Sequence, residues 1–270
     1  MKRGSKTYHT FACPKSECVG CYGFDGLLSA FAERSNSRKN LLIISGFLEE
    51  KTGDECAERI CSRFDFSENA LAAWFLNAVA EVPEVRFLEI VRSIKPGPEL
   101  VSADIPQISS FDEVVNVSQI VAKTREVYTF EQMGSMLNNA MSDRRRHWAK
   151  IKYGENHSKF AAMMGIADVR KDDRNHYVVS STGVGRALYL VEDAAVRNVI
   201  LRRLMFRCRA FRILYTFCEN GEVLKAGLKA LEQTTRLRRL RTLKALARAY
   251  NSLSRDGVGM PQEAMDWLGI

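Results

Sequence analysis

Four residues near the start of the chain have the types that bind a metal ion. His9, Cys13, Cys18 and Cys21 fall within 13 residues and supply one imidazole and three thiolates. Zinc binds such ligands in a tetrahedral arrangement, so these residues are candidates for a structural zinc site. Their Cys-x4-Cys-x2-Cys spacing differs from the regular zinc-finger spacings, and a loose, reduced, glycine-rich arm is the alternative.

A second group of candidates is a run of cations near the C-terminus, where the chemistry is phosphate binding. Six Lys or Arg residues occur between residues 236 and 248, and no acidic residue stands among them. Crowded like charges repel one another unless an anion screens them, and the phosphates of DNA are such anions. The DNA-binding candidates in this run are Arg236, Arg238, Arg239, Arg241 and Lys244.

Further polar and basic residues between positions 144 and 174 have the types that contact DNA. Asn pairs with adenine and Lys with guanine when a helix lies in the major groove, while other Arg and Lys side chains contact backbone phosphates. The alternative for the arginine run is a solvated helix start, and the alternative for the residues of the following helix is an ordinary polar surface. The candidates are Arg144, Arg145, Arg146, Asn156, His157, Lys159, Lys171 and Arg174.

Catalytic residues stay unassigned, because the sequence lacks the spacings expected of a nuclease. A PD-(D/E)xK site needs an acid followed by an acid-x-Lys pair on adjacent strands, and the segment from Glu155 to Lys159 is spaced differently within a helical pattern. His157-x-Lys159 matches part of a phospholipase D motif, but Met164 stands where an Asp is required. No Gly-Lys-Ser/Thr phosphate-binding loop is present.

The distribution of charge supports a polyanionic partner for the second half of the chain. The 270 residues carry a formal net charge of +8. Residues 1–125 hold 15 basic and 17 acidic residues, whereas residues 126–270 hold 25 and 15. The excess positive charge therefore lies entirely in the second half, and this asymmetry favours nucleic acid or an acidic surface as the partner.

Composition indicates a globular protein without a membrane partner. No apolar run reaches the roughly 18 residues that a bilayer span needs, and the longest, from Ala70 to Leu76, stops at Asn77. Seven cysteines are an odd number, so a disulfide framework is not expected. We therefore expect a cytoplasmic protein.

Residues typical of turns and linkers divide the sequence into four predicted segments. Residues 1–26 form a Cys-rich arm or zinc knuckle, and residues 27–110 form a helical domain that resembles a helix-turn-helix core. The linker signal Lys95-Pro96-Gly97-Pro98 places a boundary between about 95 and 112. Residues 111–193 are predicted to form a winged-helix domain and residues 194–270 a basic helix-turn-helix-like domain. The predicted fold is mainly helical with a small β-hairpin.

Local signals in the sequence predict the helices that precede the β-hairpin. Residues 111–124 carry an apolar stripe at helical spacing. Thr129, with Gln132 three residues later, fits a capping box at the start of a short helix. A basic helix is expected to follow and to continue through Phe160.

The end of that basic helix and the hairpin also have clear signals. Gly165 is typical of a helix C-terminus. The segment from Asp168 to Ser180 predicts two short strands around a charged turn. Thr182 then begins another helix. This order of helices and hairpin is that of a winged helix-turn-helix, in which the second helix enters the major groove and the hairpin lies on phosphates.

The C-terminal segment is predicted to contain three helices. The first runs from near Arg197 to Gly221, the second covers Glu222 to Glu232, and the third is capped by Thr234 and Thr235. The positions of the third helix that are expected to face inward are Leu237, Leu240, Leu243 and Leu246.

Residues 130–250 resemble winged-helix modules found beside restriction endonucleases and in other phage-defence proteins. The segments that carry the resemblance are 153–159, 161–166 and 181–185, followed by 199–204 and 234–246. The chain departs from that group at Leu246 and Ala247, where Trp is common. The resemblance implies two tandem DNA-binding modules.

The sequence therefore predicts a protein that binds double-stranded DNA, as the recognition component of a restriction or phage-defence system. Other subunits of such a system are further expected partners. The alternatives are a type II restriction endonuclease with an unrecognised, metal-dependent site, a transcriptional regulator, or an assembly subunit that presents its basic face to a protein.

Overall fold

The computed structural model of the protein describes residues 76, 80, 83–94, 97, 99–137, 147–254 and 258–270. The zinc candidates His9, Cys13, Cys18 and Cys21 and the cations Arg144, Arg145 and Arg146 lie outside these residues. So do the arm at 1–26 and most of the helical domain predicted at 27–110. The described part is mainly helical with a small antiparallel sheet, as predicted.

The described elements follow one another in a simple order. After α1 (Glu84–Ser93) and a 3₁₀ turn (Ser102–Asp104) come α2, β1, α3, α4, β2, β3 and α5, and then five further helices. Their bounds are α2 Phe111–Thr124, β1 Tyr128–Thr129, α3 Phe130–Leu137, α4 His147–Met164, β2 Ala167–Lys171, β3 Tyr177–Ser181, α5 Gly183–Tyr189, α6 Ala194–Met205, α7 Arg209–Tyr215, α8 Phe217–Lys229, α9 Gln233–Ser252 and α10 Gln262–Leu268.

The three strands form one antiparallel sheet in the order β1-β3-β2. Val179 in the central strand pairs with Tyr128 of β1 on one side and with Val169 of β2 on the other. The β2–β3 hairpin confirms the prediction for residues 168–180. Because β1 precedes α3 and β3 follows α4, the sheet holds both ends of the α3–α4 pair together.

Local hydrogen bonds fix the start of α3 and the end of α4, as the sequence predicts. The Thr129 amide donates to Gln132 Oε1 at 2.8 Å, and the Gln132 amide donates back to Thr129 Oγ1 at 3.3 Å, which completes the capping box. Gly165 has φ +78° and ends α4, with the Ile166 amide bonded to the Ala161 carbonyl in a Schellman arrangement.

Helices α3 and α4 pack so closely that two glycines are required at their crossing. A Cβ atom on Gly134 would overlap the carbonyl oxygen of Lys150, and one on Gly154 would overlap the carbonyl oxygen of Phe130. The two backbones are therefore in direct contact. This contact fixes the direction in which α4 presents its exposed face.

The C-terminal helices differ from the prediction in several places. The segment predicted as one helix from near Arg197 to Gly221 forms α6, α7 and the start of α8, and α10 was not predicted. Gly221 does not end a helix, because it lies inside α8, where its missing side chain leaves room for the Phe217 ring. Thr234 and Thr235 do not cap α9, which begins at Gln233 with Glu232 at the N-cap position and without a side-chain capping bond.

The buried face of α9 is also shifted from the predicted one. Leu243 and Leu246 are buried as expected, but Leu237 is 49% exposed. The helix buries Thr242, Ala247 and Tyr250 as well. The start of α9 is therefore less buried than predicted, and Arg238 and Arg241 are exposed there.

One hydrophobic cluster contains residues from both sides of the predicted boundary at 193/194. It includes Val117 and Phe160 as well as Phe211 and Leu246. The division into two modules stays a prediction. None of the helices in the described part combines the length and apolar character needed to cross a bilayer.

We predict that Gly154→Ala destabilises the fold, because the new methyl group forces α3 and α4 apart. Overpacking of this kind costs about 1–3 kcal/mol, and the gain in helix propensity offsets less than about 1 kcal/mol of it. Urea unfolding measures the free energy of unfolding. Gly221→Ala is the matched control within a helix, and we expect it to cost less than Gly154→Ala, because its methyl group would meet the Phe217 side chain at 3.0 Å and not a backbone carbonyl. Equal stability of the two variants would contradict the close contact.

Candidate nucleic-acid interface

A cleft of about 740 Å³ lies between α4, the start of α9 and the segment 102–107. Val169 and Tyr177 of the hairpin close one side of it. Polar and apolar side chains share its lining. Its residues are Ser102, Ala103, Ile105, Pro106, Gln107, Trp148, Lys152, Glu155, Asn156, Lys159, Phe160, Ala162, Met163, Val169, Tyr177, Arg238 and Arg239.

This cleft brings together four of the DNA-contact candidates. Asn156 and Lys159 enter it from α4, and Arg238 and Arg239 enter it from α9, about 80 residues later in the chain. Their sequence separation gave no indication that they would meet.

The remaining described candidates do not line the cleft. Lys171 and Arg174 are exposed in the hairpin, and Arg241 is exposed on α9. Lys171 nonetheless lies close to the rim, because its Nζ is 5.3 Å from the centroid of the Tyr177 ring. Arg236 and Lys244 are half-buried on α9.

His157 was predicted to face DNA but is buried, with 1% of its surface exposed. Its Nδ1 lies 2.8 Å from the Tyr153 carbonyl oxygen, so the ring donates from this nitrogen. Its Nε2 accepts from the Ser109 amide at 3.4 Å. Burial lowers the pKa of His157 and outweighs the hydrogen bond to Tyr153. We therefore leave His157 out of the contact set and assign it to the support of the cleft.

A second hydrogen-bonded pair attaches the same segment to α9. The Thr242 hydroxyl accepts from the Ile108 amide at 3.0 Å and donates to the Ile108 carbonyl at 2.9 Å. Both groups are buried, so water does not compete for them. Segment 102–109 consequently connects α4 to α9 and sets the distance across the cleft.

The α4 wall of the cleft carries a carboxylate between two lysines. Glu155 accepts from Lys152 Nζ at 2.6 Å and from Lys159 Nζ at 2.5 Å. Burial raises the pKa of the Glu155 carboxyl, but the two lysines outweigh this effect and leave the pKa below its ordinary value. This wall therefore holds two positive charges and one negative charge at neutral pH.

The α9 wall carries cations that lack such a partner. Within the part of the chain that the structure describes, neither Arg238 nor Arg239 forms an ion pair with a carboxylate. Arg239 donates from Nη2 to Ser102 Oγ at 3.3 Å, and its buried Nε has no hydrogen-bond partner. Burial lowers the pKa of Arg239. An anion bound in the cleft would supply the negative charge and the hydrogen-bond acceptor that this wall lacks.

Two aromatic residues of the cleft were not among the predicted contacts. Trp148 is 62% exposed and Tyr177 is 48% exposed. The signal that indicates them is the presence of aromatic residues among the basic ones, as in His147-Trp148 after Arg144 to Arg146 and in Tyr177 after Arg174. Exposed aromatic rings beside cations are a common feature of surfaces on which bases stack.

Among the described residues, no group of three or more His, Cys, Asp or Glu side chains converges as a metal site would require. Comparison of the chain with protein-family models, with curated proteins and with solved structures finds no match. The geometry of the cleft is therefore the basis for the functional proposal.

We predict that His157 makes the stability of the protein depend on pH. Its folded pKa lies below the unfolded value of about 6.5, so its contribution is complete above pH 6.5 and is lost as the pH falls. The loss is at most about 1.4 kcal/mol for each pH unit. Urea unfolding at pH 7.5 and 5.5 measures it.

We expect the loss of stability between these two pH values to be smaller in His157→Gln than in the wild type. His176→Gln is the matched control, since this histidine is exposed in the hairpin, and it should retain the full loss. An unchanged loss in His157→Gln would exclude this role for the ring.

Proposed function

We propose that this chain is a winged-helix protein that binds double-stranded DNA through the cleft between α4 and α9. The support from the fold is the order α2-β1-α3-α4-β2-β3 together with the sheet order β1-β3-β2. In a winged helix-turn-helix the second helix of the pair reads bases. Here that helix is α4, and the β2–β3 hairpin is the wing.

The observation that carries the proposal is the convergence of Asn156 and Lys159 with Arg238 and Arg239 in one cleft. These residue types have two different roles, base recognition and phosphate contact. Asn and Lys side chains distinguish adenine and guanine by their hydrogen bonds. Arginines without a carboxylate partner contact phosphates and supply most of the affinity.

Electrostatic pairing within α4 also fits this division. Glu155 neutralises part of the charge of Lys152 and Lys159. The strongest unneutralised positive charge of the cleft is therefore on α9, and we place a DNA strand with its backbone along α9 and its base edges toward α4. Arg241 and the wing cations Lys171 and Arg174 extend the phosphate contacts beyond the cleft.

A role in restriction or phage defence is the biological context that we propose, and it rests on the resemblance of residues 130–250 to winged-helix modules of such systems. In that context the chain recognises DNA, and other subunits of the system are its protein partners.

Replacing Arg238 and Arg241 together by Ala is expected to weaken binding to all duplex sequences. Both side chains are exposed, so the fold should be retained. The slope of log K against log salt concentration should become less steep by up to about 1.8, because two phosphate contacts are lost. Fluorescence anisotropy with a labelled duplex at several salt concentrations measures the slope.

The matched control is Lys123→Ala with Lys225→Ala, which removes the same charge from exposed positions on α2 and α8. It should leave the slope close to that of the wild type. An equal change in both double variants would show that net charge, and not the position of the arginines on α9, determines binding. An absence of binding of the wild type to any duplex at low salt would overturn the proposed function.

Replacing Asn156 by Ala is expected to change sequence preference more than affinity. A good bidentate contact discriminates against the wrong base by about 1–3 kcal/mol, so one adenine position should lose its preference when duplexes are selected from a randomised pool. Asn116→Ala on the exposed surface of α2 is the matched control. An unchanged preference in Asn156→Ala would remove this residue from the reading surface.

A further inference from the structure

The cleft between α4 and α9 has the size of a pocket for a small ligand. Its volume of about 740 Å³ falls within the range of roughly 300–1,000 Å³ that is common for such pockets. A complete duplex is much larger than this volume. Double-stranded DNA would therefore lie across the opening of the cleft, and only part of one strand would enter it.

Aromatic side chains line the cleft at two places. Trp148 is 62% exposed at the start of α4. The Tyr177 ring is held in place because one of its faces stacks on the Phe130 ring, with the centroids 5.7 Å apart and the planes at 14°. Lys159 Nζ lies 5.8 Å from the centroid of the same ring. Stacking on such rings depends little on the identity of the base.

The α9 wall presents an unneutralised anion-binding surface. Arg238 lines the cleft without a carboxylate partner, and Arg239 has a buried Nε without a hydrogen-bond partner within the described part of the chain. The Ser102 hydroxyl next to Arg239 is a further donor. A phosphate here would receive charge-assisted hydrogen bonds.

The middle of the α4 wall presents groups that match the edge of a base. The Glu155 carboxylate accepts hydrogen bonds from amino and imino groups, and the Asn156 amide both donates and accepts. An ionised carboxylate has no hydrogen to donate to a phosphate oxygen, so Glu155 matches the edge of a base better than a second phosphate. The cleft therefore has a distinct place for a base and for a phosphate.

We propose that the cleft binds one unpaired nucleotide of a DNA strand, with its base stacked on Trp148 and its phosphate on Arg238 and Arg239. This inference rests on the proposed DNA-binding function and names the part of the DNA that enters the cleft. A paired base cannot occupy this position, because its two faces are covered by neighbouring bases. Sites where a base is mismatched or bulged make it available at the lowest energetic cost.

The test compares the affinities for two labelled duplexes that differ only by one bulged nucleotide. We expect the wild type to bind the bulged duplex at least about fivefold more tightly, since stacking of one base contributes about 1–3 kcal/mol. Trp148→Ala should lose this preference, and Trp148→Phe should retain most of it. Tyr189→Ala is the matched control, because Tyr189 is 44% exposed on α5, outside the cleft.

Each outcome separates this inference from the proposed function. Equal affinity for both duplexes, or a preference that persists in Trp148→Ala, would overturn the inference and leave duplex binding intact. An absence of binding to either duplex would overturn the proposed function itself. Deoxyadenosine monophosphate serves as the competitor, and displacement of the bulged duplex at equal nucleotide concentration would assign the cleft to free nucleotides and overturn the strand as its source.

Discussion

The cleft depends on the hydrogen bonds that hold segment 102–109 between α4 and α9. The Thr242 hydroxyl bonds to both polar backbone groups of Ile108, and the Ser109 amide bonds to the ring of His157. These groups are buried or partly buried, so a lost bond would leave an unsatisfied polar atom at a cost of about 1–3 kcal/mol. The segment therefore works as a brace, and the two walls of the cleft keep a fixed separation.

The far end of α9 is held by charge. Glu84 of α1 accepts from Arg202 and Arg203 of α6 at 3.1 and 3.2 Å, and both arginines are almost completely buried. Arg202 lies 4.4 Å from the centroid of the Tyr250 ring on α9, and Arg203 lies 4.9 Å from that of Phe87. Buried guanidinium groups are tolerated only when such partners replace water. The brace and this charge cluster thus hold α9 at two points along its length.

Residues with local roles could be predicted from the sequence, and residues with distant partners could not. The capping box at Thr129, the helix end at Gly165 and the hairpin that follows are encoded within a few residues, and all three are confirmed. Gly221 is a different kind of failure, because glycine occurs inside helices as well as at their ends. It lies within α8, beside the ring of Phe217 four residues earlier.

Prediction of the candidate site from the sequence has the same limit, because its residues depend on distant partners. Residue type alone makes Asn156 and Arg238 candidates, yet their meeting in one cleft depends on the brace, which has no local signal. His157 was selected for the same reason, and its burial depends on Ser109, which is 48 residues away. Trp148 was overlooked because an aromatic residue in a helical pattern is more often part of a core.

Hydrogen exchange of the full chain, with and without a saturating duplex, tests the central claim most directly. The account predicts slower exchange of backbone amides in residues 147–159, 171–177 and 233–241 when DNA is bound, and little change in α8, at residues 217–229. Protection of α8 with no change in α4 and the start of α9 would contradict the account, because DNA would then bind at a surface other than the cleft.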